Sequence, residues 1–108
     1  MDSKEHILQT AVSLFSRQGF DGVSMRDLAK SVNMSTSAVY HYFPNKQTLY
    51  LSAVHFAFAK QASAFEEVWQ CDQSAEQKLN KFVSCLARIL TEDVDFRRIM
   101  QRELLDAD

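Results

Sequence analysis

Glycine and proline are scarce in this chain: its 108 residues contain two glycines and one proline. Tight hairpin turns depend on these residue types, so their scarcity argues against a β-rich fold and predicts an all-α protein. Two glycines are also too few for a glycine-rich loop that cradles phosphate. Because no nucleophile–base pair or paired-carboxylate pattern is visible either, we expect the protein not to be an enzyme.

Cysteine and long apolar runs are scarce as well. The two cysteines, Cys71 and Cys85, lack metal-ligand spacing, and the three histidines pair with neither, so no metal or other cofactor is predicted. No apolar run approaches the ~18 residues of a membrane span. The N-terminal residues lack the pattern of a secretory signal, so we expect a cytoplasmic protein. The net charge of −2 argues against a general polyanion binder.

The first helix is predicted by apolar residues that recur on one face between residues 4 and 18. Ser3 precedes this segment and is a plausible N-cap. Gly19 follows it and suits the left-handed conformation that commonly ends a helix. The sequence therefore predicts a helix over 4–18 with Ser3 and Gly19 at its two ends.

Two shorter helices follow, over 25–32 and 36–43, with a turn of about three residues between them. This is the spacing of a helix-turn-helix, in which the second helix, here called the reader helix, contacts DNA. The residues suited to the helix ends are Ser24 and Asp27 as an S-x-x-D capping box, Asn33 in the turn, and Ser35 as the next N-cap.

The second half of the chain predicts three more helices. Pro44 ends the reader helix, and Asn45 can cap a long helix over 46–70 whose apolar residues occupy more than one face. The segment 74–77 reads SAEQ, a second capping box, and precedes an amphipathic helix. A break at TEDVD precedes a sixth helix, which is predicted from Phe96 to the end of the chain.

Residues 7–54 resemble the N-terminal domain of TetR-family (tetracycline-repressor-like) transcriptional regulators. The matching positions, in order and at the spacing of the family, are Ala11, Leu14, Phe15, Gly19, Ser24, Leu28, Ala29, Ser35, Val39, Tyr40, Phe43, Lys46 and Leu49. One departure is Asn33-Met34, where the family usually has Gly-Val. Asn can still adopt the left-handed turn and Met can still fill the apolar slot, so we expect the motif to survive.

The resemblance implies a helix-turn-helix DNA-binding domain over 1–47, followed over 48–108 by a long connecting helix and the first helices of an incomplete α-helical ligand and dimerisation domain. Family members look roughly twice as long, so the chain looks truncated. The implied function is a sequence-specific DNA-binding transcriptional regulator, a ligand-responsive repressor that binds a palindromic site on double-stranded DNA as a homodimer. The alternative is a helical protein- or ligand-interaction module that does not bind DNA.

The candidate DNA contacts lie on the reader helix and beside it. Val39 and Phe43 are four residues apart and are expected in the core. Small residues at the start of the helix let the backbone approach base edges, and tyrosine hydroxyls suit phosphate oxygens. By resemblance, Tyr40 is a phosphate contact. The full set is Ser24, Met25, Arg26, Ser35, Thr36, Ser37, Ala38, Tyr40, His41, Tyr42 and Lys46.

Lys46 is predicted to form a phosphate clamp with the N-terminus of the long helix, where free N–H groups and the helix dipole favour an anion. Several of these residues also have a plainer interpretation. Tyr40 can be an ordinary surface ring, Lys46 a solvated lysine and His41 a bystander. Arg26 can pair with a nearby acid.

A second candidate set consists of large apolar residues in the second half that can line a pocket for a small apolar or aromatic effector. These residues are Phe58, Phe65, Trp69, Phe82, Phe96 and Met100. Ordinary packing between helices is the favoured interpretation for each of them, because no convergent polar groups identify a ligand.

Overall fold

The computed structural model describes residues 2–105, and every regular element within that range is helical. The α-helices are α1 (Ser3–Gln18), α2 (Met25–Ser31), α3 (Thr36–Tyr42), α4 (Lys46–Gln70), α5 (Ala75–Glu92) and α6 (Val94–Met100), followed by a π-helical turn at Gln101–Leu105. The prediction of an all-α fold is confirmed. No helix among the described residues is long and apolar enough to cross a membrane.

The helix ends follow the capping residues of the sequence with one exception. The Asp2 Oδ1 atom accepts a hydrogen bond from the Glu5 N–H at 2.8 Å, so Asp2 is the N-cap of α1, and Ser3 is its first helical residue. The prediction that Ser3 is the cap is therefore wrong by one position. An ionised carboxylate is the stronger acceptor at a helix N-terminus, where the dipole favours negative charge.

The chain separates into two compact units, residues 1–56 and 57–108, and the division falls within α4. In the first unit, α1, α2, α3 and the start of α4 enclose one apolar core. Its most deeply buried members are Ile7, Ala11, Phe15, Leu28, Val39, Phe43, Leu49 and Ala53. This core fixes the relative positions of the helices that carry the candidate DNA contacts.

In the second unit, Asp93 joins three elements. It ends α5 and begins α6, because its Oδ1 atom accepts a hydrogen bond from the Phe96 N–H at 3.0 Å. Its Oδ2 atom accepts a bond of 2.7 Å from the Gln61 side chain on α4. The predicted break at TEDVD is thus confirmed, but α6 begins at Val94, two residues before Phe96, and gives way to the π-helical turn after Met100. The rest of the predicted helix, residues 106–108, lies outside the described residues.

One face of α5 remains exposed in the described part of the chain. Leu79, Val83 and Leu86 follow each other at helical spacing and are 63%, 61% and 45% exposed. The neighbouring stripe of the same helix is buried at Cys85 and Ile89. The helix therefore has a wider apolar surface than its own unit covers.

Candidate nucleic-acid interface

The start of α2 is fixed by a complete capping box. The Ser24 Oγ atom accepts a hydrogen bond from the Asp27 N–H at 3.0 Å, and the Asp27 Oδ2 atom accepts one from the Ser24 N–H at 3.3 Å. Both residues are exposed. The predicted capping box is confirmed, and it determines where the first turn of α2 meets solvent.

Met25 and Arg26 are neighbours on α2, but their side chains have different environments. Met25 is only 7% exposed and belongs to the core, because this apolar residue lies on the face that α2 buries. The contact between Met25 and DNA stays a prediction, and burial argues against its side chain as the group that makes it. Arg26, one position later, is exposed and remains a candidate phosphate contact.

The turn between α2 and α3 uses the left-handed conformation that was expected of Asn33, whose φ is 58°. The Met34 N–H donates to the Ala29 carbonyl oxygen at 2.9 Å, and the half-buried Met34 side chain packs against the core. The Ser35 Oγ atom then accepts a hydrogen bond from the Ala38 N–H at 3.1 Å and caps α3. The departure from Gly-Val is thus accommodated, as predicted.

The reader helix, α3, has one buried and one exposed face. Val39 and Phe43 are 0% and 2% exposed, whereas Tyr40 and Tyr42 are 45% and 39% exposed. His41 is also exposed, and its ring meets that of Tyr42 edge-on, with the centroids 5.4 Å apart. At the start of the helix Ser37 is exposed and its two neighbours are half-buried, so small side chains line this end.

Lys46 is half-buried, and its ammonium group is engaged within the protein. The Nζ atom donates hydrogen bonds to the carbonyl oxygens of Phe20 at 2.7 Å and Val23 at 3.0 Å. It also lies 4.1 Å from the centroid of the Phe20 ring. The ammonium is therefore held by the loop between α1 and α2. The phosphate clamp stays a prediction.

The N-terminus of α4 is built as expected. The Asn45 Oδ1 atom accepts a hydrogen bond from the Thr48 N–H at 2.8 Å, so Asn45 is its N-cap. The first N–H groups of any helix lack partners within that helix, and this cap satisfies one of them. The remaining first-turn amides of a helix of this length favour an anion such as a phosphate.

The candidate effector residues are dispersed over the second unit. Phe58 packs edge-on against Phe96, with the centroids 5.0 Å apart, and Phe65 stacks on Phe82 at 5.2 Å. Trp69 is 63% exposed, with the Lys78 ammonium 5.3 Å from its ring. The remaining member, Met100, is half-buried at the end of α6.

An open groove of about 500 Å³ between α4 and α5 is lined by none of these six effector candidates; its lining is Ala64, Glu67, Val68, Asn80, Lys81, Ser84, Cys85 and Arg88. Within residues 2–105 no group of three or more His, Cys, Asp or Glu is placed to hold a metal ion.

Comparison with known proteins agrees with this geometry. Residues 7–53 match the family described as bacterial regulatory proteins, tetR family. Over these residues, which make up a little under half of the chain, it is similar to TetR-family regulators. The matched range runs from α1 into α4, so the TetR domain and the core of the first unit are nearly the same set of residues.

Among curated TetR relatives, the negative transcriptional regulator IcaR of the biofilm operon icaADBC in Staphylococcus aureus (strain Newman) is 38% identical over 55 residues. That stretch covers 51% of this chain and 30% of the relative. The TetR regulator PfmR of Thermus thermophilus superposes with a TM-score of 0.75 at 26% identity, covering 93% of this chain and 54% of PfmR.

A TerR/AcrR-family transcriptional regulator of Aquifex aeolicus VF5 superposes with a TM-score of 0.73 at 27% identity, covering 99% of this chain and 59% of its own. The chain thus spans less than two thirds of the length of these relatives.

Sequence reasoning missed the residues that engage Lys46. The Phe20 and Val23 carbonyl groups belong to a loop that precedes Lys46 by more than twenty residues. Backbone carbonyl groups carry no side-chain signal, so neither periodicity nor capping patterns could have identified them. The Phe20 ring was the one available sign, since aromatic faces attract ammonium groups.

Proposed function

We propose that the protein is a DNA-binding transcriptional regulator that inserts α3 into the major groove. The observation that carries this proposal is the division of α3 into a buried face, with Val39 and Phe43, and an exposed face, with Tyr40, His41 and Tyr42. The exposed parts of these rings, which carry hydroxyl or imidazole groups, are available for contact with a partner. The match of residues 7–53 to the TetR family supports the same assignment.

Each part of the exposed surface has a chemistry suited to a duplex. Ser37 and the small residues beside it let the helix backbone come close to base edges, where hydroxyl and methyl groups discriminate between bases. The tyrosine hydroxyls donate to phosphate oxygens and fix the register of the helix without reading sequence. Arg26, on α2, adds a cation at the flank of the same surface.

Repression is the direction of control that we propose, because IcaR is a negative transcriptional regulator. We also propose that the protein acts as a homodimer on a palindromic site. Two reader helices would then enter successive major grooves ~34–36 Å apart. A bacterial regulator of this kind works in the cytoplasm, where the chromosome lies.

A regulatory role for the second unit is part of this proposal, with a small apolar or aromatic molecule as its effector. Since four of the six candidates form two separate ring pairs that include neither Trp69 nor Met100, an effector would have to displace existing contacts or bind beside the exposed Trp69. Trp69 is the only tryptophan of the chain, so its fluorescence reports directly on such binding.

A second candidate function is an interaction module that does not bind DNA. The exposed apolar face of α5, with Leu79, Val83 and Leu86, favours a protein contact in the second unit. The two candidates differ in what they require of α3. If the protein is an interaction module, Tyr40→Phe and removal of residues 1–45 should leave partner binding unchanged. If it is a DNA-binding regulator, both changes should weaken DNA binding.

The decisive experiment is a selection from a library of random-sequence duplexes, followed by fluorescence-anisotropy titration of the selected duplex and a scrambled version. A DNA-binding regulator should enrich one sequence, prefer it over the scrambled duplex, and bind less tightly as salt increases. Failure to enrich any sequence, together with no measurable binding at low salt, would reject the proposal in favour of the interaction module.

A further inference from the structure

Lys46 joins the first turn of α4 to the loop between α1 and α2, residues 19–24, which we call the α1–α2 loop. An ammonium group has three N–H donors. Two of them are directed at the carbonyl oxygens of Phe20 and Val23, at 2.7 and 3.0 Å. The same ammonium is 4.1 Å from the Phe20 ring centroid. A cation with three partners in one loop is held in place far more firmly than a solvated lysine.

A second contact from α4 reinforces the first. Tyr50 follows Lys46 by one helical turn, and its ring meets the Phe20 ring at 5.3 Å and the Phe15 ring at 5.0 Å, edge-on in both cases. Phe15 and Phe20 are themselves stacked at 6.2 Å. Two side chains of α4, Lys46 and Tyr50, and one of α1, Phe15, therefore contact the Phe20 ring.

The α1–α2 loop has little freedom of its own. Gly19 has a φ of 77°, and its N–H donates to the Phe15 carbonyl oxygen at 2.9 Å. At Gly22 an added Cβ atom would collide with the carbonyl oxygen of Gln18. Val23 is buried at 2% exposure, and the next residue, Ser24, is the N-cap of α2. The hydrogen bond from Lys46 to the Val23 carbonyl group therefore also positions the first turn of α2.

We propose that Lys46 is a positioning residue for DNA binding: it fixes the α1–α2 loop to α4 and so places Ser24 and Arg26 correctly beside the reader helix. This proposal rests on the proposed function. Because Asn45 caps α4 three residues after α3 ends, α4 holds both helices of the helix-turn-helix at once. The contribution of Lys46 to affinity is then indirect, through the loop, and not a phosphate contact of its ammonium group.

Three variants test this proposal by anisotropy titration of the duplex selected by the wild type, over a series of salt concentrations. Lys46→Met keeps an apolar stem and loses the ammonium. Phe20→Leu removes the ring beneath the ammonium but leaves every charge unchanged. Lys60→Met removes one exposed charge from the same helix and is the matched control. Thermal melting confirms that each variant is folded at the temperature of the titration.

The proposal expects Lys46→Met and Phe20→Leu to weaken binding, the former by about tenfold. The slope of log affinity against log salt should remain that of the wild type. The double variant should lose little more than the worse single variant, because both act on one contact. A Lys46→Met slope that is smaller by about 0.9 for each protomer, with Phe20→Leu unchanged, would instead identify a phosphate contact and overturn the proposal.

Hydrogen exchange without DNA gives an independent readout. Lys46→Met and Phe20→Leu should speed the exchange of backbone amides in residues 19–27, whereas Lys60→Met should not. Unchanged exchange in that segment would overturn the positioning role. If no variant and no wild-type protein binds a duplex, the proposed function fails, and faster exchange in Lys46→Met would still support the anchoring of the loop. The two failures are therefore distinguishable.

Discussion

Val39 is fully buried in the core of the first unit, whereas Tyr40, the next residue along α3, is 45% exposed. Adjacent residues of a helix point about 100° apart, so a helix that packs on one side must present the other side to its surroundings. On α3 the presented side carries Tyr40, His41 and Tyr42. Packing and the proposed DNA binding thus use different residues of the same helix, and single substitutions can separate the two roles.

Tyr40→Phe should weaken binding of the selected duplex without changing stability. The substitution removes only the hydroxyl, and a hydrogen bond to a charged partner such as phosphate contributes about 1.5–3 kcal/mol, or about 10- to 150-fold in affinity. Anisotropy titration measures the loss, and urea unfolding checks the stability. Equal affinity of Tyr40→Phe and the wild type would mean that this hydroxyl makes no phosphate contact and that Tyr40 is a surface ring.

Phe43→Ala should instead lower the stability of the folded protein. Phe43 is 2% exposed within the core, and replacing a buried Phe by Ala typically costs about 3–5 kcal/mol. The adjacent Tyr42→Ala is the matched control, because Tyr42 is 39% exposed and should affect stability far less. Chemical denaturation of the two variants compares them. Similar destabilisation by both would contradict the assignment of only one of these rings to the core.

Local sequence patterns predicted the helix ends closely, since each end depends on residues three or four positions apart. Ser24, Ser35, Asn45 and Ser74 all cap helices where the sequence places them. The same reasoning named Ser3 as the cap of α1, where the structure has Asp2. Both residue types are good caps, so only the structure shows which side chain reaches the amide.

Contacts between distant segments could not be predicted in this way. The Lys46–Phe20 hydrogen bond joins residues 26 positions apart, and the burial of Met25 depends on how α2 packs against the other helices of the first unit. Lys46 and Met25 both lie within the candidate site. The tertiary contacts of this site were therefore less predictable than the helices that carry it. The division into residues 1–47 and 48–108 stays a prediction for function.

Gly22→Ala should destabilise the first unit by about 1–3 kcal/mol, because the added methyl group has no room beside a backbone carbonyl that cannot rotate away. That carbonyl group belongs to Gln18 at the end of α1. Asp21→Ala is the control, since Asp21 is the exposed neighbour of Gly22 in the same loop. Thermal unfolding of both variants tests the prediction. Wild-type stability of Gly22→Ala would show that the loop can shift, which weakens the argument that it is rigid.

Arg26→Gln should weaken duplex binding and reduce its salt dependence, whereas Met25→Leu should do neither. The Arg26 guanidinium is exposed at the start of α2, and a cation that neutralises one phosphate contributes about 0.9 to the slope of log affinity against log salt. The Met25 side chain is buried, so a Leu of similar volume changes only packing. Anisotropy titrations over a series of salt concentrations give both slopes. A wild-type slope for Arg26→Gln would place Arg26 away from the duplex, and a strong loss of affinity in a stable Met25→Leu protein would restore a DNA-binding role to that side chain.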